Sequence, residues 1–278
     1  MARPARVDDA VPDVPAVLSG RVVRLMIVPP VHIFTIAAKR GDAMALDIEE
    51  PIATEEDLRA ILPRWPGNAS RKDLDRLNDV ARAFIARTPY LVISSVGADG
   101  RHDISPKGDA RGFVQVHDDK TLIIPDRLGD HRLDTFENLI ADPRLGLFFL
   151  IPDHTETLRI AGTGRIARDQ SLRTAFAVNG RLPELVLVAT VEQVFMHCSK
   201  SVVRSQLWSP EHWRDTTDAP TLAQWFKGAV DTDQTLDDVQ AVHDNDRLTR
   251  LYLRSCAPKH LIADTEPSTT LAEVYWDV

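Results

Sequence analysis

The chain has 278 residues, 44% of them hydrophobic and 27% charged. That length allows one large domain or two small ones, and the composition excludes a disordered or fibrous protein. A net charge of -8 makes nucleic acid a poor partner, since phosphate neutralisation needs a basic surface, so any anion site must be a local cluster of positive charge.

Two cysteines, Cys198 and Cys256, are too few for a disulfide scaffold and fit a reducing cytoplasm. No uninterrupted apolar run reaches roughly 18 residues, so no membrane span is expected. The stretch 22–38 comes closest, but Arg24, Pro29, Pro30 and His32 break it. Residues 1–43 are Pro-rich and lack periodicity, whereas clean patterning begins after Met44. That break predicts a weakly ordered extension over 1–43 and marks Met44 as the expected start.

In chain order, "TEEDLRAIL" (54–62) reads as a helix capped by Thr54, with acids in its first turn and Pro63 beyond it. "RKDLDRLNDVARAFIA" (71–86) reads as a second helix, with Leu74, Leu77, Val80, Ala81, Phe84 and Ile85 on one face. From 90 the period changes to two. "YLVISSVG", a turn at "ADG" and the return strand "RHDISPKG" form a hairpin. "TLIIP" (121–125) is a third strand. "DHRLDTFENLI" (130–140) is a helix with Asp130 as expected N-cap and Leu133, Phe136 and Ile140 facing inward. "LGLFFLI" (145–151), "ETLRIAGTGRIA" (156–167) and "ELVLVATVEQVFMH" (184–197) complete the strands, with a short helix in "RDQSLRTAFAV". Gly162 and Gly164 predict a bulge or a close backbone approach. Helices are expected over 221–230 and 236–254. The fold class is therefore α+β and mainly β: a six-stranded antiparallel sheet with flanking helices, of the kind that closes into a small barrel. The expected segments are an extension over 1–43, a helical lead-in over 44–88, the barrel over 89–208 and a helical extension and tail over 209–278.

Three polar clusters interrupt this pattern. "HCSKSVVRSQLW" (197–208) sets His197 beside Cys198, but adjacent side chains of a strand point to opposite faces, which argues against a thiolate–imidazole dyad. Zinc would need further ligands, and neither C-x-x-C nor H-E-x-x-H occurs. A buried Cys beside a hydrogen-bonded His is the favoured reading of that pair. Beyond it, Ser199 stands at a helix start, and Lys200 and Arg204 are one turn apart. The local pattern fits a phosphate site and a solvated basic face equally well. "DISPKGDARGF" (103–113) carries Ser105 and Lys107, and "PDRLGDHRLD" (125–134) brings Arg127 and Arg132 to a helix start. Three such clusters at strand ends of an acidic protein point to a phosphorylated ligand. Paired carboxylates, a G-x-S-x-G elbow, a P-loop and a G-x-G-x-x-G motif are all absent.

The order strand, "SPKGD", strand, "DRLGDHRLDTFEN", "DPR" and apolar strand resembles the pyridoxamine 5′-phosphate oxidase-like flavoproteins, over about 84–208. "HCSKSVVRSQLW" resembles a bacterial subgroup of that family whose activity is poorly assigned. The resemblance implies an FMN-binding split barrel, usually a homodimer with the flavin at the subunit interface. It assigns Lys107 to the cofactor phosphate and puts His102 where the family has an arginine; Ser105, from the same polar cluster, is expected to join Lys107 in binding the cofactor. It brings Asp126 and Arg127 to the flavin and Arg132 to the phosphate, with Leu133 in place of a second cation. Thr157 falls at or near a polar position reaching the flavin ring. Lys200 and Arg204 are expected to make up for the missing cations at 102 and 133. The tryptophan and Arg-x-His motif of the vitamin oxidase's pocket have no match near this C-terminus.

Composition, clusters and resemblance together imply a cytoplasmic, homodimeric FMN-dependent oxidoreductase. It is expected to act on a small-molecule substrate or electron donor, with no nucleic acid, no membrane and no metal. The flavin is expected to carry the reactivity, so no catalytic side chain is named. A deazaflavin can replace FMN in related barrels. The alternative class is a non-catalytic flavin-, deazaflavin- or haem-binding protein that stores or senses its ligand.

Overall fold

The structure, a computed structural model, describes residues 48–64, 72–129, 132–213 and 216–249. The expected extension over 1–43, the Asp130 cap, Cys256 and the end of the last helix lie outside those residues. The chain divides into two compact units, Met1–Arg64 and Trp65–Val278, so the division falls inside the expected lead-in over 44–88.

In the first unit, α1 spans Glu55–Ile61, and the Thr54 hydroxyl accepts the Asp57 N–H, as the sequence predicts. Arg64 hydrogen-bonds Glu55 at 2.7 Å and draws the Glu55 carboxyl below its usual range.

The second unit opens with a difference from expectation. The helix predicted over 71–86 is only α2, Asp79–Ile85, started by the Asn78 side chain, which accepts the Ala81 N–H at 2.9 Å. Residues 72–77 are instead a strap along the sheet. Leu74 and Val194 exchange both backbone hydrogen bonds, at 3.0 and 2.8 Å. Salt bridges from Lys120 to Asp75 and from Arg76 to Asp119 fasten the strap. Leu77 still reaches the core beside Ala81, Phe84 and Ile85, while Val80 and Leu74 do not.

Seven strands come next among the described residues, all paired antiparallel. They are β1 (Tyr90–Val96), β2 (His102–Gly108), β3 (Gln115–Val116), β4 (Thr121–Pro125), β5 (Arg144–Leu150), β6 (Thr157–Ala167) and β7 (Val186–His197). The fold class is the predicted one, and the seventh strand is the two-residue β3, too short to show a period. The sheet order is β2-β1-β5-β6-β7-β4-β3, so β2 and β3 are edges that do not pair with each other. Alternate residues of β1, β4, β5, β6 and β7 nevertheless bury into one core, including Leu91, Leu122, Phe149, Ile160 and Leu187. The sheet must therefore curl around that core and stay open between its edges, which is a split barrel.

One device shapes the curl. Ala161 pairs with Gln193 but Gly162 with Val191, so β7 carries one extra residue, Glu192. This is the bulge that the glycines predict. A Cβ on Gly162 would lie 1.9 Å from the Thr190 carbonyl oxygen.

Between β4 and β5, α3 (Asp134–Ala141) buries Thr135, Phe136 and Leu139. Leu133 and Ile140 were expected inward with Phe136, but both are exposed. The helix begins at Asp134, which leaves Leu133 outside it, and its buried face runs through Thr135, Phe136 and Leu139. Further on, α4 (Gln170–Thr174) is capped by Asp169, and α5 (Lys200–Ser205) follows β7. Helices α6 (Leu222–Ala229) and α7 (Leu236–Thr249) pack on each other and bury Ala223 and Val239. Thr221 and Gln224 form a capping box at the start of α6.

Candidate functional site

β2 positions the first cluster. Its period of two turns Asp103, Ser105 and Lys107 toward one half-buried face and leaves His102, Ile104 and Pro106 exposed. Pro106 is tolerated because β2 is an edge strand paired only with β1. Asp103 accepts a hydrogen bond from the Thr135 hydroxyl at 2.7 Å, which ties β2 to α3. The Lys107 ammonium stands 5.7 Å from the centre of the Phe136 ring.

The other side of the opening contributes from the turn after β4, whose last residues, Ile124 and Pro125, run past the short pairing with β3 and form the edge there. Asp126 N–H donates to the Leu185 carbonyl at 3.0 Å, which fixes the chain as it leaves the sheet. Arg127 then folds back toward β2. Its Nε donates to the Asp109 carboxylate at 2.5 Å, and one Nη donates to the Phe176 carbonyl at 2.9 Å. Lys107 Nζ lies 3.8 Å from Asp126 Oδ1. The two pairs are reciprocal: each edge supplies one cation and one carboxylate. All four side chains are less than a quarter exposed, so these contacts are screened less than a surface pair would be.

Ser105, Lys107, Arg127 and Arg132 line one cavity of about 490 Å³ between β2, the turn after β4 and the start of α3. Asp109 and Asp126 are not among its lining residues, whereas Asp103 and Asp134 are. Arg132 is largely exposed and donates to Asp134 at 2.8 Å. That bond draws the Asp134 carboxyl below its usual range. The cavity thus receives cations from both sheet edges and from a helix start. The donor set fits a phosphate group, which accepts charge-assisted hydrogen bonds from Lys, Arg and hydroxyl donors.

A second cavity of about 490 Å³ lies over the opposite face of β1, β5, β6 and β7. Phe148, Thr157, Arg159, Phe195, His197 and Ser201 line it, and Ile104 lines both cavities. Thr157 is 3% exposed, and its hydroxyl is buried without a hydrogen-bond partner. A buried orphan hydroxyl is costly, so one facing a cavity is poised for a ligand atom. The Arg159 guanidinium stacks 5.3 Å from the centre of the Phe195 ring.

The stretch 197–208 behaves differently from the sequence reading. His197 ends β7 and Cys198 lies in the turn after it, and both are exposed; the expected buried Cys is corrected. The Ser199 side chain makes no cap bond. Lys200 and Arg204 are exposed and do not line the first cavity of their own chain. Trp208 donates its indole N–H to the His154 carbonyl at 2.8 Å, anchoring the end of this stretch to the β5–β6 loop. Among the described residues, no group of three or more His, Cys, Asp or Glu side chains could hold a metal ion.

Sequence reasoning missed Asp109 and the Phe176 carbonyl, two groups that hold Arg127. Asp109 stood in plain view in "SPKGD", but its partner is 18 residues away. A backbone carbonyl has no sequence signature at all.

Residues 77–198 match the family model described as pyridoxamine 5′-phosphate oxidase, which bears out the resemblance read from the motifs. No curated protein matches the chain. Among solved structures, HupZ of Group A Streptococcus is 19% identical, covering 43% of this chain and 93% of its own, with a TM-score of 0.37. An FMN-binding protein from Syntrophomonas wolfei is 15% identical, with coverages of 42% and 84% and a TM-score of 0.35. HutZ, a haem storage protein from Vibrio cholerae, is 13% identical, with coverages of 44% and 94% and a TM-score of 0.32.

Proposed function

We propose that the chain, whose residues 77–198 match the pyridoxamine 5′-phosphate oxidase family model, is an FMN-dependent oxidoreductase that binds the cofactor phosphate in the first cavity. The observation that carries this reading is the convergence of Ser105, Lys107, Arg127 and Arg132 on one cavity from both edges of the split sheet. An FMN phosphate carries close to two negative charges, which two or three Lys or Arg contacts neutralise. Bound flavin supplies hydride or electron transfer, and the protein supplies binding, orientation and exclusion of water.

On this reading Lys107 and Arg127 hold the phosphate, the Ser105 hydroxyl donates to it, and Arg132 closes its exposed side. Asp126 keeps the Lys107 ammonium in place. Thr157 offers its unpartnered hydroxyl to the ring end of the cofactor, with Ile104 lining both cavities. The second cavity opens on an outer sheet face that a second copy would cover in a homodimer, and Lys200 and Arg204 would reach the cofactor from that copy. The proposed setting is the cytoplasm, and the proposed second reactant is a small molecule; no described helix is long and apolar enough to cross a membrane.

The test is the mass and absorption spectrum of whatever leaves the purified protein on heating, followed by titration of the stripped protein with FMN. Flavin release or FMN uptake, with turnover of a reduced nicotinamide or an artificial electron acceptor, supports the proposal. Tight flavin binding without turnover refutes the oxidoreductase half. Haem in the extract and no FMN uptake refute the whole.

A further inference from the structure

Resting on the FMN reading of the first cavity, we infer that Asp109 is a positioning residue, which holds the Arg127 guanidinium in the direction that meets the cofactor phosphate. Three observations carry this. Asp109 is itself fixed twice. Its N–H donates to the Pro89 carbonyl at 3.0 Å, and its Oδ1 accepts the Ala110 N–H at 2.7 Å. Its other oxygen takes the Arg127 Nε–H, while the Phe176 carbonyl takes a second donor of the same guanidinium. A planar fork gripped on two sides cannot rotate freely about its stem. Finally, Arg127 lines the cavity and Asp109 does not, so the carboxylate sits behind the cation and not in the path of a ligand.

Two effects of Asp109 on an anion in the cavity have opposite signs. Through space, its negative charge repels a phosphate, and removing it would tighten binding. Through Arg127, it aims a strong donor and lowers the entropy lost when the phosphate is bound, and removing it would weaken binding. The through-space term is small for a group behind its own counter-ion. A charge-assisted hydrogen bond that loses its alignment forfeits much of its strength. The positioning effect therefore wins.

The experiment is FMN titration of the stripped full-length protein, followed by quenching of flavin fluorescence. The proteins compared are the wild type, Asp109→Asn, Arg127→Ala and the double variant. Asp109→Asn is expected to weaken FMN binding by about tenfold, somewhat less than the loss of a full charged hydrogen bond. In the Arg127→Ala background the same change is expected to leave affinity unchanged or to raise it, because only the repulsive effect remains. A general structural role for Asp109 would weaken binding equally in both backgrounds, and that result overturns the inference. So does unchanged or tighter binding in Asp109→Asn when Arg127→Ala is impaired. Failure of the wild type to bind FMN, or full affinity in Arg127→Ala, sinks the cofactor assignment itself and is readily told apart. Should Asp109→Asn not fold, Asp109→Glu keeps the charge but displaces it by one methylene. It must then show the same background dependence, and equal weakening in both backgrounds overturns the inference.

Discussion

Replacing Gly162 with alanine tests whether the bulge between β6 and β7 has the geometry described. The added Cβ would lie 1.9 Å from the Thr190 carbonyl oxygen, 3.0 Å from its carbonyl carbon and 3.3 Å from the Glu192 nitrogen. All three are backbone atoms, so no rotamer change relieves the contact. A carbon tolerates an oxygen at roughly 3.3 Å, so β7 must retreat by more than ~1 Å from β6. That displacement takes the flanking ladder bonds beyond hydrogen-bonding distance. Two or three bonds at ~1 kcal/mol each, with looser packing around Ile160 and Val191, amount to roughly 3 kcal/mol or more. In a domain of this size that lowers Tm by roughly 6–12 °C. The control is Gly164→Ala. There the nearest atoms are the side-chain ends Leu145 Cδ2 at 2.6 Å and Leu187 Cδ1 at 2.9 Å, which can turn aside. Its cost is expected at about 1–2 kcal/mol. Urea unfolding followed by circular dichroism measures both. A loss below ~1 kcal/mol for Gly162→Ala, or a larger loss for Gly164→Ala than for Gly162→Ala, would refute the reasoning.

Lys107→Ala is expected to weaken FMN binding by about 1.5–3 kcal/mol, the usual contribution of a hydrogen bond to a charged group; unchanged affinity in the same titration would remove Lys107 from the site. Cys198→Ala should leave flavin binding, turnover and Tm as they are, because the thiol is exposed and paired with nothing catalytic; loss of turnover would reopen a nucleophilic role. Asp142→Asn bears on the pH dependence of stability. The hydrogen bonds from Arg144 hold the Asp142 carboxyl down to about 2. A depressed carboxyl stabilises the fold fully above its unfolded value and loses that contribution as pH falls through the folded one. The variant should therefore be less stable than wild type at neutral pH and match it once pH drops below about 2. Urea midpoints at both ends of that range decide it, and a gap that persists in acid would contradict the assignment.

The strands were legible wherever alternation ran long enough to show. β1, β5, β6 and β7 bury alternate residues against one core, and the two glycines of β6 announced the bulge. Where the sequence misled, the deciding information was non-local. Leu74 and Leu77 fit the helical spacing of Ala81 and Phe84, so a helix from 71 was the natural reading. What sets 72–77 extended is the length of β7. Its pairing with β4 ends at Thr190, so the outer edge beyond needs another partner, and Leu74 supplies it at Val194. No local window contains that demand. The buried face of α3 failed for a smaller reason. The helix starts at Asp134, so Leu133 lies outside it, and the buried face runs through Thr135, Phe136 and Leu139, which leaves Ile140 exposed.

At the site, residue type was legible and pairing was not. Lys, Arg and Ser at strand ends singled out 105, 107, 127 and 132, and the fold gathers those four in one cavity. Thr157 goes to the opposite face, and Lys200 and Arg204 stay on the surface of their own chain. The cations also come with carboxylates: Asp126 beside Lys107, Asp109 beside Arg127 and Asp134 beside Arg132. These six charges sum to zero, so attraction for an anion cannot come from net charge, in keeping with the acidity of the whole chain. It must come from direction. Lys107 and Arg127 line the cavity while their carboxylates do not, so each presents a dipole whose positive end meets the ligand, whereas Asp134 lines the cavity beside Arg132; at contact distance the nearer charge dominates because Coulomb energy falls with separation. Two of those dipoles also bridge the edges of the split barrel, Lys107 to Asp126 and Asp109 to Arg127. A ligand that drew on both cations would therefore engage both sides of the opening at once.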